Sequence, residues 1–251
     1  TISGGPMYYL RGAFDRLQQP QMGRFMAGLF AVCCIGGTIG AGGLFQANQA
    51  YQQALVVTGG ETGFLADRGW LFGLFMAILV GMVIIGGIQW IAAVAGRIVP
   101  VMAIIYIIAG FVVIGVHYAA IPDALRTIFE MALYPQAGIG ALMGALLMGV
   151  QRATFSNEAG LGSSAIAHSA VKTDVPVSQG MVAMLGPFID TVVVCMVTAL
   201  VIVISGTYVE GGGIEGVQLA SRAFASGISW FPYVLSLTVF LFAYSTMISW
   251  S

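Results

Sequence analysis

Charge is what this sequence has least of. Only 8% of its 251 residues are Asp, Glu, Lys or Arg, nine basic against ten acidic, where an ordinary soluble domain carries roughly a quarter. With 59% of residues hydrophobic and a mean hydropathy of +0.94, so few charges cannot cover the surface of a water-soluble fold. A net charge of −1 provides no basic footprint for nucleic acid. Cysteine is equally scarce. Cys33, Cys34 and Cys195 lie in apolar stretches without metal-ligand spacing and are expected to be small packing residues. No His-Glu-x-x-His pattern, nucleophile elbow or cysteine–histidine spacing marks an enzyme. Residues 1–20 contain Arg11, Asp15 and Arg16 and no apolar core, so no signal peptide is read there. The chain has no initiator Met and stops inside an apolar run, and it is expected to be an internal fragment of a longer protein.

What is present is apolar length. A hydrocarbon core of about 30 Å needs roughly 20 apolar residues in a helix. Segments 25–51, 71–95, 98–119, 180–206 and 231–251 meet that length, the second and third separated by a turn at Gly96-Arg97. A further segment, 139–171, is expected to span in two pieces, broken near 156–162 with Gly160 and Gly162 supplying the break. The expectation is an all-α integral membrane domain over 1–251, with about six spanning helices, and no separate soluble domain. The 35 glycines suit tightly packed membrane helices. If residues 1–20 are cytoplasmic, Arg11, Arg16, Arg24, Arg97 and Lys172 fall inside, and Arg68, Arg126 and Arg222 fall outside, in the sense of the positive-inside rule. The stretch 122–133 is amphipathic and suits the outer interface.

The broken segment is the most informative feature. Opening a helix within a bilayer exposes backbone groups, each costing several kcal/mol unless protein or a water-filled cavity satisfies them. Transporters use such breaks to hold ions and zwitterions near the midplane. Here Thr154 to Ser156 would end the first half with free carbonyls, and Ser163 and Ser164 would cap the second. The competing interpretation is a re-entrant or kinked helix with a structural role. Arg152 and Glu158 flank the break. Glu158 suits a coupling-ion ligand or proton carrier, or both residues suit tying the unwound backbone in place. Asp190, with Thr191 beside it, lies about ten residues into the next span and suits either cation binding or anchoring of the broken helix. His168, on the short second half, reads as a packed, hydrogen-bonded side chain.

Ser245 and Thr246 stand three and four positions after Phe242, so two hydroxyls and the Phe242 carbonyl share one helix face. Neutral oxygens suit a hard cation. Hydroxyls that bond back to their own helix are the plainer interpretation of that spacing. Gln46 and Asn48 are expected to form interhelical hydrogen bonds.

Several motifs resemble the alanine or glycine:cation symporter family, the sodium:alanine symporters. They are Ser-Gly-Gly-Pro-Met-Tyr-Tyr at 3–9, Phe-Ser-Asn-Glu-Ala-Gly-Leu-Gly-Ser-Ser-Ala-Ile-Ala-His at 155–168, Phe-Ile-Asp-Thr at 188–191 and Phe-Ala-Tyr-Ser-Thr at 242–246. Gln46-Ala-Asn48, Ile98 to Met102 and Gln179-Gly180 agree, and Met247-Ile-Ser-Trp departs from the family pattern. The resemblance implies a leucine-transporter-like fold of two inverted repeats, of which this chain would hold the third through eighth helices. It implies a multi-pass protein of the plasma (inner) membrane that couples sodium to a small neutral amino acid, alanine or glycine, by alternating access, with no other cofactor. By motif, substrate would meet Thr154, Phe155, Ser156, Asn157, Gly160 and Gly162, and sodium would meet Phe242, Ser245 and Thr246. A proton-coupled transporter using Glu158, Asp190 or His168, a membrane-embedded enzyme and a channel are the alternatives.

Overall fold

A computed structural model describes residues 4–133, 138–157, 161–210, 216–228 and 230–251. Among these the chain is helical, without strands. In order come α1 (Pro6–Arg16), α2 (Pro20–Val57), α3 (Gly69–Ile84), α4 (Gly87–Val116), α5 (Ile121–Leu133), α6 (Gly138–Ser156), α7 (Ser163–His168), α8 (Pro176–Ser205), α9 (Val217–Ala225) and α10 (Phe231–Ser249). Four of them, α2, α4, α8 and α10, are long and apolar enough to cross a membrane. α3 is a shorter apolar helix. Large apolar side chains such as Val32, Leu44, Ile104, Phe111 and Met184 lie exposed along these spans. That is the pattern of helices solvated by lipid, which satisfy their backbone internally and need no polar coat. The chain is a multi-pass membrane protein.

The boundary expected at Gly96-Arg97 is not there. α4 runs unbroken through Gly96, Arg97 and Pro100. Pro100 has no N–H, so the helix forfeits one bond to the Gly96 carbonyl, which an otherwise continuous apolar helix tolerates. The turn falls instead at Ile85–Gly87, where Gly87 adopts φ +72, a conformation that costs glycine nothing. Two π-helical stretches, Thr38–Phe45 within α2 and Phe188–Cys195 within α8, are further features that apolar length does not reveal.

The described residues of 1–39 and 135–193 form one compact unit, and those of 40–134 and 194–251 a second. In the first, α1 folds back on the start of α2, and α7 touches both α1 and the start of α8. Gly23 permits the α1–α2 approach, since a Cβ there would lie 2.8 Å from Phe14 Cβ. In the second, the core joins Tyr106, Ala109 and Val113 of α4 to Val197 and Val201 of α8, Phe224 of α9, and Phe231 and Leu235 of α10. The rings of Phe224 and Phe231 stack at 4.9 Å between centroids. Gly110 lets α4 and α8 meet, because any Cβ would overlap Val197 Cγ1. On the exposed α5, Arg126 Nε donates to Glu130 Oε1 at 2.6 Å, one turn along.

Candidate functional site

The broken helix lies in the first unit. α6 ends at Ser156 and Asn157 is a bend, while Leu161 and Gly162 lead into α7 at Ser163. Glu158 and Gly160, two of the residues singled out above, lie outside the described residues. Gly162 takes φ +80 and serves as N-cap of α7, so Ser163 and Ser164 fall inside the helix rather than capping it. A left-handed cap position favours glycine over serine. Within the last turns of α6, Thr154 Oγ1 donates to the Gln151 carbonyl at 2.7 Å, and Arg152 and Phe155 are exposed.

Two residues from the break meet two from the π-helical stretch of α8. Ser156 Oγ donates to a carboxylate oxygen of Asp190. Asn157 Nδ2 donates to Thr191 Oγ1 at 2.8 Å. Consecutive residues on α6 thus bond to consecutive residues on α8, and the local widening of a π turn is a known accompaniment of functional sites. An ionised carboxylate accepting a hydroxyl makes a charge-assisted bond, stronger than a neutral pair. The arrangement ties the end of α6 to α8.

Beyond the break, an open cavity of about 750 Å³ is walled by α1, α7 and α8, with Tyr9, Gly162, Ser164, His168 and Gln179 among its lining residues. His168 Nδ1 and Gln179 Nε2 stand 2.5 Å apart across it, which joins α7 to α8. The amide nitrogen can only donate, so Nδ1 is the acceptor in this contact.

The second unit carries the residues proposed above as sodium ligands. Ser245 is buried, 4% exposed, and its Oγ donates to the Phe242 carbonyl at 3.0 Å. This is the back-bond to its own helix that the spacing allowed. It also sets two neutral oxygens side by side, with Thr246 next in sequence and half-buried.

Gln46 is half-buried and Asn48 exposed on α2. The interhelical bonds of this segment come from their neighbours. Gln49 Oε1 accepts from the Val217 amide at 3.3 Å, and Gln52 Oε1 from Gln218 Nε2 at 3.0 Å. Gln53 is fully buried, and its Nε2 donates to Ser221 Oγ at 3.1 Å and to the Pro232 carbonyl at 3.3 Å. Its Oε1 is buried with no hydrogen-bond partner. Sequence reasoning passed over these three residues. The signal was glutamine recurring at 46, 49, 52 and 53 in an apolar span, a helical spacing that points several amides toward neighbouring helices.

Comparison with known proteins is consistent along the chain. The model of the sodium:alanine symporter family matches residues 1–251. The chain is 38% identical to the "Sodium/alanine symporter AgcS" of Methanococcus maripaludis, over 100% of this chain and 54% of that protein. It is 35% identical to the "Probable sodium/glutamine symporter GlnT" of Bacillus subtilis, over 98% of this chain and 48% of the relative. It is 32% identical to the "Amino-acid carrier protein AlsT" of the same organism, over 98% and 50% respectively. The chain therefore spans about half the length of the curated relatives it matches.

Proposed function

This chain belongs to the sodium:alanine symporter family, and on that premise we propose that the whole protein is a secondary active transporter coupling sodium to a small neutral amino acid, alanine or glycine. The observation that carries this reading is the break itself. α6 ends at Ser156, and Gly162 at φ +80 precedes the start of α7 at Ser163; within a membrane protein such a helix interruption is the kind of place where a polar ligand or a cavity is met. We assign substrate contact to Thr154, Phe155, Ser156, Asn157, Gly160 and Gly162. Asp190 and Thr191 hold Ser156 and Asn157 in place, so their role is to set the shape of the break. Arg152 and Glu158 are assigned to securing the opened backbone.

Sodium is assigned to the Phe242 carbonyl and the hydroxyls of Ser245 and Thr246. The 3.0 Å bond between Ser245 and Phe242 already gathers two of these oxygens, and the hydroxyl proton has only to rotate away for both to face a cation. The fold we propose is leucine-transporter-like, with residues 1–20 cytoplasmic and the chain supplying the third through eighth of its spanning helices in a plasma (inner) membrane. Sodium and substrate favour the same closed state, and each raises the other's affinity.

The test is radiolabelled alanine uptake into proteoliposomes containing the whole protein, with and without an inward sodium gradient at constant pH. Uptake that needs sodium, and weakens when Ser245 and Thr246 become Ala, supports the assignment. Uptake that follows a proton gradient and ignores sodium moves coupling to the acids near the break. No uptake of alanine or glycine by folded protein refutes the substrate.

A further inference from the structure

Apart from Tyr9 in the cavity wall, the motif at 3–9 has no part in the site described so far, yet its described residues lie against those of the motif at 155–168. Two contacts join them and a third reaches the adjoining Ser169, and each exists because a Cβ is missing. A Cβ on Gly4 would overlap the Cβ of Ser169 and stand 2.8 Å from its Oγ. A Cβ on Gly5 would lie 2.7 Å from Ile166 Cγ1, and Gly5 holds φ +108, which side-chain-bearing residues rarely adopt. A Cβ on Gly162 would lie 2.5 Å from Pro6 Cγ and 3.4 Å from the Tyr9 hydroxyl. Gly5 and Pro6 are buried.

These contacts fall on α7 and on its two cap residues, Gly162 and Ser169, and the six residues of α7 are far too few to be stable alone. Tertiary contacts must hold it. One side is gripped by Gly4-Gly5-Pro6, and the other is joined to α8 by the His168–Gln179 bond. Pro6 presses directly on Gly162, the last residue before helix resumes.

We infer that Gly4-Gly5-Pro6 is a clasp of positioning residues that holds α7 and Gly162 in their binding geometry, and that loosening it opens the α1–α7–α8 cavity. This rests on the reading of the break as the substrate site. The clasp touches no substrate and acts through Gly162 and α7. Its closure should set apparent substrate affinity more than maximal rate, because affinity falls with the fraction of protein in the competent state.

The experiment uses the whole protein, purified in detergent micelles, with all of its native cysteines, Cys33, Cys34 and Cys195 among them, replaced by Ala and one thiol introduced in the cavity wall by Ala165→Cys. The rate of labelling by a bulky maleimide reports how far the cavity stands open. Gly4→Ala adds one methyl against Ser169 and should raise both the labelling rate and the KM for alanine roughly tenfold, the order expected of an overpacking clash, with maximal uptake little changed. Gly4→Ala/Ser169→Gly removes the obstructing Cβ and Oγ, leaves the Cα of residue 169 at 3.5 Å from the new methyl, and should return both values to those of the parent. A destabilisation unrelated to the contact would not be rescued in this way. Should Gly4→Ala fail to fold, Pro6→Ala removes a contact instead of adding one and must still speed labelling. Unchanged labelling in a folded Gly4→Ala or Pro6→Ala protein, or a double variant no better than the single, overturns the clasp. Labelling requires no transport, so a parent protein that labels as expected but takes up neither alanine nor glycine refutes the function and leaves the clasp standing.

Discussion

Replacing Gln53 by Leu tests whether the second unit is held by polar contacts as well as by apolar packing. Leu has similar bulk and a smaller need for partners. The substitution removes two interhelical bonds, to Ser221 Oγ and the Pro232 carbonyl, and strands the Ser221 hydroxyl at 2% exposure. Interhelical bonds in a membrane protein average about 0.6 kcal/mol, so the two together contribute about 1.2 kcal/mol. Stranding a buried partner adds about 1–3 kcal/mol. Against this, Leu also removes Oε1, which has no partner, and relieves a penalty of about 1–3 kcal/mol of the same kind. The net expectation is a loss of about 1 kcal/mol, read as a lower melting temperature of the whole protein in detergent. The decisive comparison is Gln53→Leu/Ser221→Ala. Ser221→Ala alone removes one bond, while in the Leu background it removes only a stranded hydroxyl, so the pair should be less destabilised than the sum by about 1 kcal/mol. A Gln53→Leu protein that melts at or above the parent, or strict additivity in the pair, refutes the reasoning.

Ser245→Ala and Thr246→Ala should each raise the sodium concentration needed for half-maximal alanine uptake, together more than singly, measured at saturating alanine. Asp190→Asn keeps an acceptor for Ser156 but loses its charge, so it should impair uptake less than Asp190→Ala; equal loss in both would mean that the charge itself is what matters. Gly110→Ala sets a methyl into Val197 and should cost about 1–3 kcal/mol of thermal stability. Gly115→Ala on the same helix meets open space and should be neutral or mildly stabilising, since alanine suits a helix better by about 1 kcal/mol.

The parts of this fold that depend on counting are legible in the sequence. Scarcity of charge and the length of apolar runs point to membrane helices, and Gly162, in the run expected to interrupt a helix, takes φ +80. What depends on the competition between neighbouring glycines is not. Gly96-Arg97 reads as a turn and 71–95 as one span, yet it is Gly87, inside that span, that leaves the helical region. Partnerships across long separations are hidden for another reason. Ser156 and Asn157 lie 34 residues from Asp190 and Thr191, and Gln53 lies 168 from Ser221. Each shows itself in sequence only as a polar residue in an apolar setting, which signals that a partner exists without saying which. The glycines of the 3–9 motif illustrate the limit most clearly: they stand out as a family signature, but their close contacts are visible only in the Ser169 and Ile166 atoms they approach.

The π-helical stretches at Thr38–Phe45 and Phe188–Cys195 bear on how such a chain can change length over evolutionary time. An ordinary helix cannot lose a residue without rotating everything downstream by about 100°, one residue's share of a 3.6-residue turn. A π turn carries a surplus residue, so a single deletion there can be absorbed by closing the wide turn into an α turn while both flanks keep their phase. Insertions and deletions among relatives should therefore collect at 38–45 and 188–195. The same deletion placed within 47–57 would swing Gln49, Gln52 and Gln53 away from Val217, Gln218 and Ser221 at once, and natural variation in length should avoid that stretch.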